Sequence, residues 1–330
     1  MFKKWINLFI VLFLVHSMGC GAQNNTASSS MDSVDRTALS KPLDVAVDPI
    51  ANEIFIANNM DNSLVAFERT DQGNATPKRI IKGSTTTINW PFDVVLDPVH
   101  HEVIVANQLS NVLLGFSMTS NADVSPLWHQ FLYSDIFSVD TGGFGISLEK
   151  NLLVVLDTII DTLVAYPLTG TGTLNYEHKL VITAFYDKGR AADIAIDNVN
   201  KNIFVLFSRA IAVYPLDFIE TTQPLRTITS IDISSGAKIA IDTINDEIAI
   251  TNQDGNSIIF LPLSASGDVH AIRKIAGAAT LLNKPFGVAI DPINNEVFVT
   301  NINNNSVTVY SRTDDGNTSP LRIIKGPDSN

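Results

Sequence analysis

A six-bladed β-propeller of four-stranded antiparallel blades, following an N-terminal export signal and a flexible tether, is the fold class this 330-residue sequence predicts. Three observations predict it. Lys41–Gly83 and Lys284–Gly326 align without a gap and are identical at about half of their positions. Weaker copies fill the interval: taking the acidic residue that ends the first apolar run as a ruler, the repeats fall at Asp48, Asp97, Glu149, Asp197, Asp242 and Asp291, a period of 45–52 residues. Such periods belong to propellers and arrays. Thirdly, the closing unit divides into four short apolar segments, Phe286 to Ile290, Glu296 to Thr300, Ser306 to Tyr310 and Leu321 to Ile324, each of strand length.

Val, Ile, Phe and Thr dominate these segments, and the connectors DPINN, NINNN and RTDDGNTSP have turn composition. Four antiparallel strands per repeat make one propeller blade. Runs such as Ile54-Phe55-Ile56 and Val297-Phe298-Val299 do not alternate with polar residues, so they need cover on both faces. A blade with a neighbour on each side meets that need. An open stack would call for atypical polar end repeats, yet the first and last units here are the most alike. Repeat one is therefore expected to pack against repeat six, with blades at about 41–89, 90–141, 142–188, 189–235, 236–283 and 284–326 of a ring spanning 41–330. A complete blade from Pro42 to Gly326 leaves no strand to exchange between the termini, so the sequence does not say how the ring closes.

The DPxxNEVFVxNxxNNSVTVY run resembles the NHL-type and YVTN-type repeats of bacterial β-propellers over residues 41 to 326. That resemblance implies architecture and little chemistry, because such groups include lactonases, lyases and pure binding scaffolds.

Ahead of the ring, residues 1–19 carry Lys3 and Lys4, an apolar run from Trp5 to Val15, and Ser-Met-Gly before Cys20. This is the pattern of an export signal, and the run is too short for the roughly 20 helical residues that span a bilayer. Cys20 is the sole cysteine. Flanked by Gly19 and Gly21, it resembles the lipobox of bacterial lipoproteins, which implies acylation at Cys20 after cleavage before it; Ser17 stands where that family usually has Leu. Ordinary cleavage after Ala22, giving a secreted protein, is the alternative. Residues 20–40, small and polar from Gln23 to Ser40, form the expected tether. With no second cysteine, no disulfide can staple the ring.

The chain carries a formal charge of −12, and removing Lys3 and Lys4 with the signal leaves −14. Such a surface repels phosphate backbones, so nucleic acid is not an expected partner. The first strand of each blade should border the central channel. Its start, four residues before the ruler position, holds Asp44, Asp93, Gly145, Asp193, Lys238 and Gly287 in the six repeats. Asp44, Asp93 and Asp193 are thus candidate ligands for calcium or magnesium, with Lys238 a candidate binding residue that would neutralise one of them. The structural alternative is a set of solvated residues at a wet channel mouth, with Lys238 as counter-ion.

A second ring, Asn58, Asn107, Asp157, Asn252 and Asn301, closes the second strands, and Phe207 interrupts it. It reads as capping of the following turn. Trp128, Phe131, Tyr133, Phe137, Tyr176, Phe185, Tyr186 and Phe218 enrich the central repeats in aromatics, as core or as a partner patch. The metal set of gluconolactonase-like propellers is not reproduced, since no Glu starts a first strand. His100, His101, His129, His178 and His270 fall in first turns or outer strands and do not converge as the channel histidines of virginiamycin-type lyases do. No nucleophile elbow, HExxH or phosphate loop is present. The function expected is an envelope-anchored binding or assembly platform for a protein or small ligand. The alternative is a lactonase-like, metal-dependent hydrolase or lyase at the channel mouth.

Overall fold

The computed structural model describes residues 35–108, 112–131, 141–157, 162–168, 172–173, 178–182 and 189–326. The expected export signal, Cys20 and the tether up to residue 34 lie outside the described residues. Blade 1 is built from β1 (Pro42–Asp48), β2 (Glu53–Asn58), β3 (Ser63–Glu68) and β4 (Arg79–Ile81). Blade 2 uses β5 (Pro91–Asp97), β6 (Glu102–Asn107), β7 (Val112–Ser117) and β8 (Trp128–Phe131). Blade 3 uses β9 (Thr141–Ser147), β10 (Leu152–Asp157) and β11 (Thr162–Pro167), then, after the two-residue β12 (Gly172–Thr173), β13 (His178–Val181). Blade 4 comprises β14 (Ala191–Asp197), β15 (Asn202–Phe207), β16 (Ala210–Pro215) and β17 (Arg226–Thr229). Blade 5 has β18 (Gly236–Asp242), β19 (Glu247–Asn252) and β20 (Ser257–Pro262), then, beyond β21 (Gly267–Asp268), β22 (Arg273–Ala276). Blade 6 closes the series with β23 (Pro285–Asp291), β24 (Glu296–Asn301), β25 (Ser306–Ser311) and β26 (Arg322–Lys325).

Within every blade the four strands pair antiparallel in sequence order. The first strands touch one another around the ring, β1 to β5, β5 to β9, β9 to β14, β14 to β18, β18 to β23 and β23 back to β1. They therefore form the innermost wall. We call the face where they start the entry face and the other the exit face. Second strands are buried along nearly their whole length, as the unbroken apolar runs require. Six apolar clusters form the core, one per junction between blades. The cluster at the closing junction joins Val45, Ile54, Ile56 and Phe67 of blade 1 to Phe298, Val307, Val309 and Ile324 of blade 6.

Five of the six first turns are Asp-capped bends, and in blade 3 Ser147 Oγ accepts the Lys150 amide at 3.3 Å. Asp48 Oδ1 accepts the amides of Ile50 and Ala51, both at 2.9 Å, and Asp97, Asp197, Asp242 and Asp291 repeat the arrangement. Blade 3 corrects the sequence alignment. The strand register places Ser147, not Glu149, opposite Leu152 at the end of the first strand. Gly143, not Gly145, therefore occupies the position of Asp44. Glu149 lies two residues further on, in the turn, and forms an ion pair with Lys201 at 2.8 Å.

Among the described residues the ring closes without strand exchange. The loop between third and fourth strands reaches back to the outer strand of the preceding blade through short parallel pairing: Gly73 to Ile324, Ala122 to Ile81, β12 to β8, β21 to β17 and Gly316 to Ile275. At the closing junction the Gly73 amide donates to Ile323 O at 2.6 Å and the Lys325 amide to Gly73 O at 3.0 Å. Gly73 has φ +63 and Gly316 +68, a left-handed bend that glycine adopts without cost. Residues 35–40 lie inside the ring rather than in the tether. Leu39 is buried in the closing cluster, because this segment performs for blade 1 the linking role of 84–90 and 278–284 in other blades. Thr37, Thr86 and Thr280 are equivalent and fully buried.

Candidate functional site

The inner wall brings together the four charged residues that the sequence singled out, and all are buried: Asp44, Asp93, Asp193 and Lys238. Lys238 Nζ lies 2.9 Å from Asp93 Oδ2 and 3.2 Å from Asp193 Oδ1. Each carboxylate also accepts a backbone amide of the next blade. Asp44 takes Val94 N at 3.1 Å, Asp93 takes Phe144 N at 3.0 Å, and Asp193 takes Ile239 N at 2.9 Å. Blades 5 and 6 have Lys238 and Gly287 at the same position, and a threonine from the second strand replaces the carboxylate there. Thr251 Oγ1 donates to Phe286 O at 2.5 Å, and Thr300 Oγ1 to Leu43 O at 2.9 Å. Five of the six junctions thus carry one polar lock at the channel wall. At the sixth, between blades 3 and 4, the link lies nearer the exit face, where Asn198 Oδ1 accepts Leu148 N at 3.2 Å and its Nδ2 donates to Ile146 O at 3.1 Å.

Glycines make room for this cluster. A Cβ on Gly143 would lie 1.6 Å from Asp193 Oδ1, and one on Gly287 would lie 2.6 Å from Asp44 Cα. Electrostatics follow from burial. Desolvation pushes the Asp44 carboxyl well above its ordinary range and raises Asp193 to about 7, despite the attraction of Lys238. Burial also pushes Asp93 upward, but the Lys238 ammonium and hydrogen bonds from Asp44, Lys238 and the Phe144 amide outweigh it and hold Asp93 below the usual range. Burial disfavours the charge on Lys238 as well; the facing carboxylates of Asp193, Asp93 and Asp44 overcome that and keep it protonated.

This geometry does not fit calcium or magnesium. The ammonium of Lys238 stands between Asp93 and Asp193, in the place the sequence reading assigned to an ion, and the remaining carboxylate oxygens face backbone amides. Among the described residues no group of three His, Cys, Asp or Glu side chains could hold a metal. The sequence alternative of a counter-ion lysine is closer, but the residues are buried rather than solvated.

The asparagine ring is structural too, and its partner is the incoming segment rather than the following turn. Asn58 Oδ1 accepts Ser40 N at 2.6 Å while its Nδ2 donates to Ala38 O at 2.8 Å; Asn107 and Asn252 clamp residues 87–89 and 232–235 in the same way. On the exit side, the glutamates that start second strands bind arginines. Glu296 bridges Arg322 of its own blade and Arg69 of blade 1, and Glu247 bridges Arg273 and Arg312 of blade 6. In blade 2 the Trp128 indole replaces the arginine and donates to Glu102 at 2.6 Å. Gly115 is required beneath it, since a Cβ there would meet the indole at 2.2 Å.

Of the other aromatics, Phe218 is buried and Phe131 is exposed beside His129; Tyr133, Phe137, Tyr176, Phe185 and Tyr186 lie outside the described residues. His100 is held by Asp97 at 2.7 Å in its own turn, and His270 lies 3.8 Å from Asp232.

The entry and exit faces each carry a feature that the locks do not explain. On the entry face, Phe92 and Phe286 meet edge to face at 5.6 Å over a cavity of about 370 Å³, lined also by Lys41, Leu43, Gln108, Gln253 and Lys284. On the exit face, the residue two after each capping Asp is an exposed aliphatic: Ile50, Val99, Val199, Ile244 and Ile293, between 61% and 87% exposed. Sequence reasoning missed this crown. Its signal was in plain view, as Ile or Val after Asp-Pro, Asp-Asn or Asp-Thr in five repeats.

No family model and no curated protein matches this chain. Among solved structures it is similar to the β-propeller domain of Myceliophteria thermophila Cps50 (Swd1), with a TM-score of 0.57 and 11% identity over 87% of this chain and 88% of that one. At that identity the likeness concerns the fold: this chain is a six-bladed β-propeller.

Proposed function

We propose that the protein is a binding platform of the bacterial cell envelope, held to a membrane through an acylated Cys20 and docking an envelope partner on its exit face. The observation that carries this reading is the crown of Ile50, Val99, Val199, Ile244 and Ile293. A water-exposed turn tip does not require an aliphatic residue, yet five blades place one at the same position around the channel mouth. These turns read PIAN, PVHH, NVNK, TIND and PINN, nearly devoid of acid on a chain of charge −12. Apolar residues with few charges are the composition of an interface centre. The partner that fits is a protein with an uncharged apolar patch. Metal-dependent hydrolysis has no comparable support, because the carboxylates it would need bind Lys238 and backbone amides.

A photo-crosslinking residue at Ile244 in the full chain, expressed in its own host, tests docking. A discrete adduct is expected that disappears when Ile50 and Ile293 are both changed to Asp; an adduct pattern indifferent to those changes, or none, refutes it. Metabolic labelling with an alkynyl fatty acid tests the anchor. Label should be lost in Cys20→Ser, and an unlabelled parent protein would mean ordinary secretion. Calorimetric titration of calcium and magnesium into the mature chain tests the enzymatic alternative. Saturable heat would return it to contention.

A further inference from the structure

The entry-face cavity differs chemically from the exit crown. Its wall is asymmetric: blades 6, 1 and 2 place Phe286, Leu43 and Phe92 at one position of the first strand, where blades 3, 4 and 5 have Gly142, Ala192 and Ala237. The cavity lies on the side of the large apolar side chains, which line it. The two rings meet edge to face, and Lys238 Nζ lies 5.2 Å from the centre of the Phe92 ring, on the buried side.

The rim carries the opposite charge to the rest of the protein. Lys41 and Lys284 occupy equivalent positions in adjacent blades, and both line the cavity. Lys284 is paired with the exposed Asp254 at 2.6 Å, whereas the Lys41 ammonium has no ion pair among the described residues. Gln108 and Gln253 add two amide groups. Backbone strain marks the same side: Lys41, Trp90 and Lys284 have φ of 53, 52 and 54. Asn305, Asn62 and Asn256 side chains of the preceding blades hold their amides at 2.7–2.8 Å. The left-handed conformation costs a bulky residue energy, and two of these three residues, Lys41 and Lys284, line the cavity.

We infer that this cavity binds a small carboxylate with a flat apolar body, the ring system lying against Phe92 and Phe286 and the carboxylate between the Lys41 and Lys284 ammoniums. The volume lies within the range of small-molecule sites, which are mostly apolar with few placed polar groups. Two cations with one carboxylate partner between them leave one positive charge for the ligand. Gln108 and Gln253 donate to whichever oxygens the lysines leave free. This site deepens the platform reading by adding a small ligand on the face opposite the docking crown.

The test uses the mature full chain and two probes, 2-naphthoate and its neutral isostere 2-naphthamide, titrated by calorimetry. Saturable one-to-one binding of naphthoate is expected, with naphthamide weaker by about tenfold or more, since hydrogen bonds to charged groups contribute more than neutral ones. The double variant Lys41→Gln, Lys284→Gln should bring naphthoate down to the level of naphthamide without changing the melting temperature. Phe286→Leu should weaken both probes alike. No binding of naphthoate, equal affinity for the two probes, or unchanged affinity in the double variant overturns the inference. None of these outcomes affects the crosslinking result at Ile244, so failure of the ligand site and failure of the platform are distinguishable.

Discussion

Replacing Lys238 by Met removes the ammonium between Asp93 and Asp193 while keeping a chain of similar length and an apolar body against Phe92. Both carboxylates remain buried, and the Val94, Phe144 and Ile239 amides still orient them. Removing one partner of a buried ion pair costs about 3–5 kcal/mol, because the other charge is left without compensation. Asp193→Asn is the control. With its carboxyl raised to about 7, Asp193 is close to half protonated at neutral pH, so an amide mimics the form already present and still accepts from Ile239. That change should cost about 1 kcal/mol. Urea denaturation of the mature chain at pH 7, followed by the fluorescence of Trp90 and Trp128, measures both. A Lys238→Met variant within 1 kcal/mol of the parent, or a larger loss in Asp193→Asn than in Lys238→Met, would refute the view that this lysine holds the inner wall together.

The same cluster sets a pH dependence. Because Asp193 is raised from 3.8 to about 7 on folding, the folded state holds its proton more tightly, and this contribution to stability is complete below pH 4 and lost as pH rises through 7. Asp193→Asn should flatten the decline between pH 5 and 8, with denaturation midpoints at the two pH values as the readout. At the closing seam, Glu296→Gln weakens the bridge from Arg322 to Arg69, and a loss of about 1.5–3 kcal/mol is expected in the same denaturation assay. Thr300→Val leaves Gly287 N and Leu43 O without their partner, so it should cost about 2 kcal/mol or more, whereas Thr308→Val in the third strand should cost less by differential scanning calorimetry. Gly287→Ala drives a methyl into the Asp44 backbone and should lower stability by about 1–3 kcal/mol in the same denaturation assay; a neutral outcome would refute the close apposition of blades 1 and 6.

The sequence by itself determined the ring. Blade number, strand order and the Asp-capped turns follow from a repeat whose apolar runs need cover on both faces, and a period detects that without any knowledge of contacts. It also marked Asp44, Asp93, Asp193 and Lys238 as a set, because residues at equivalent positions of a ring face one axis. What they do there was decided by distances. A carboxylate 3 Å from the next blade's amide and one bound to a metal look identical in a sequence, and the difference lies in where Lys238 Nζ comes to rest. Blade 3 shows the same limit on a smaller scale. Glu149 satisfied the expectation of an acidic ruler, but hydrogen-bond register, which a one-dimensional pattern does not contain, selected Ser147. The spacing hinted at it, since moving the marker to Ser147 makes the first three periods 49, 50 and 50 residues. Closure through Gly73, the seam of Arg69, Glu296 and Arg322, and the cavity under Phe92 and Phe286 all join residues from different blades. Only the tertiary structure decides such features, because each blade is specified by its own repeat while the relation between blades is set by packing.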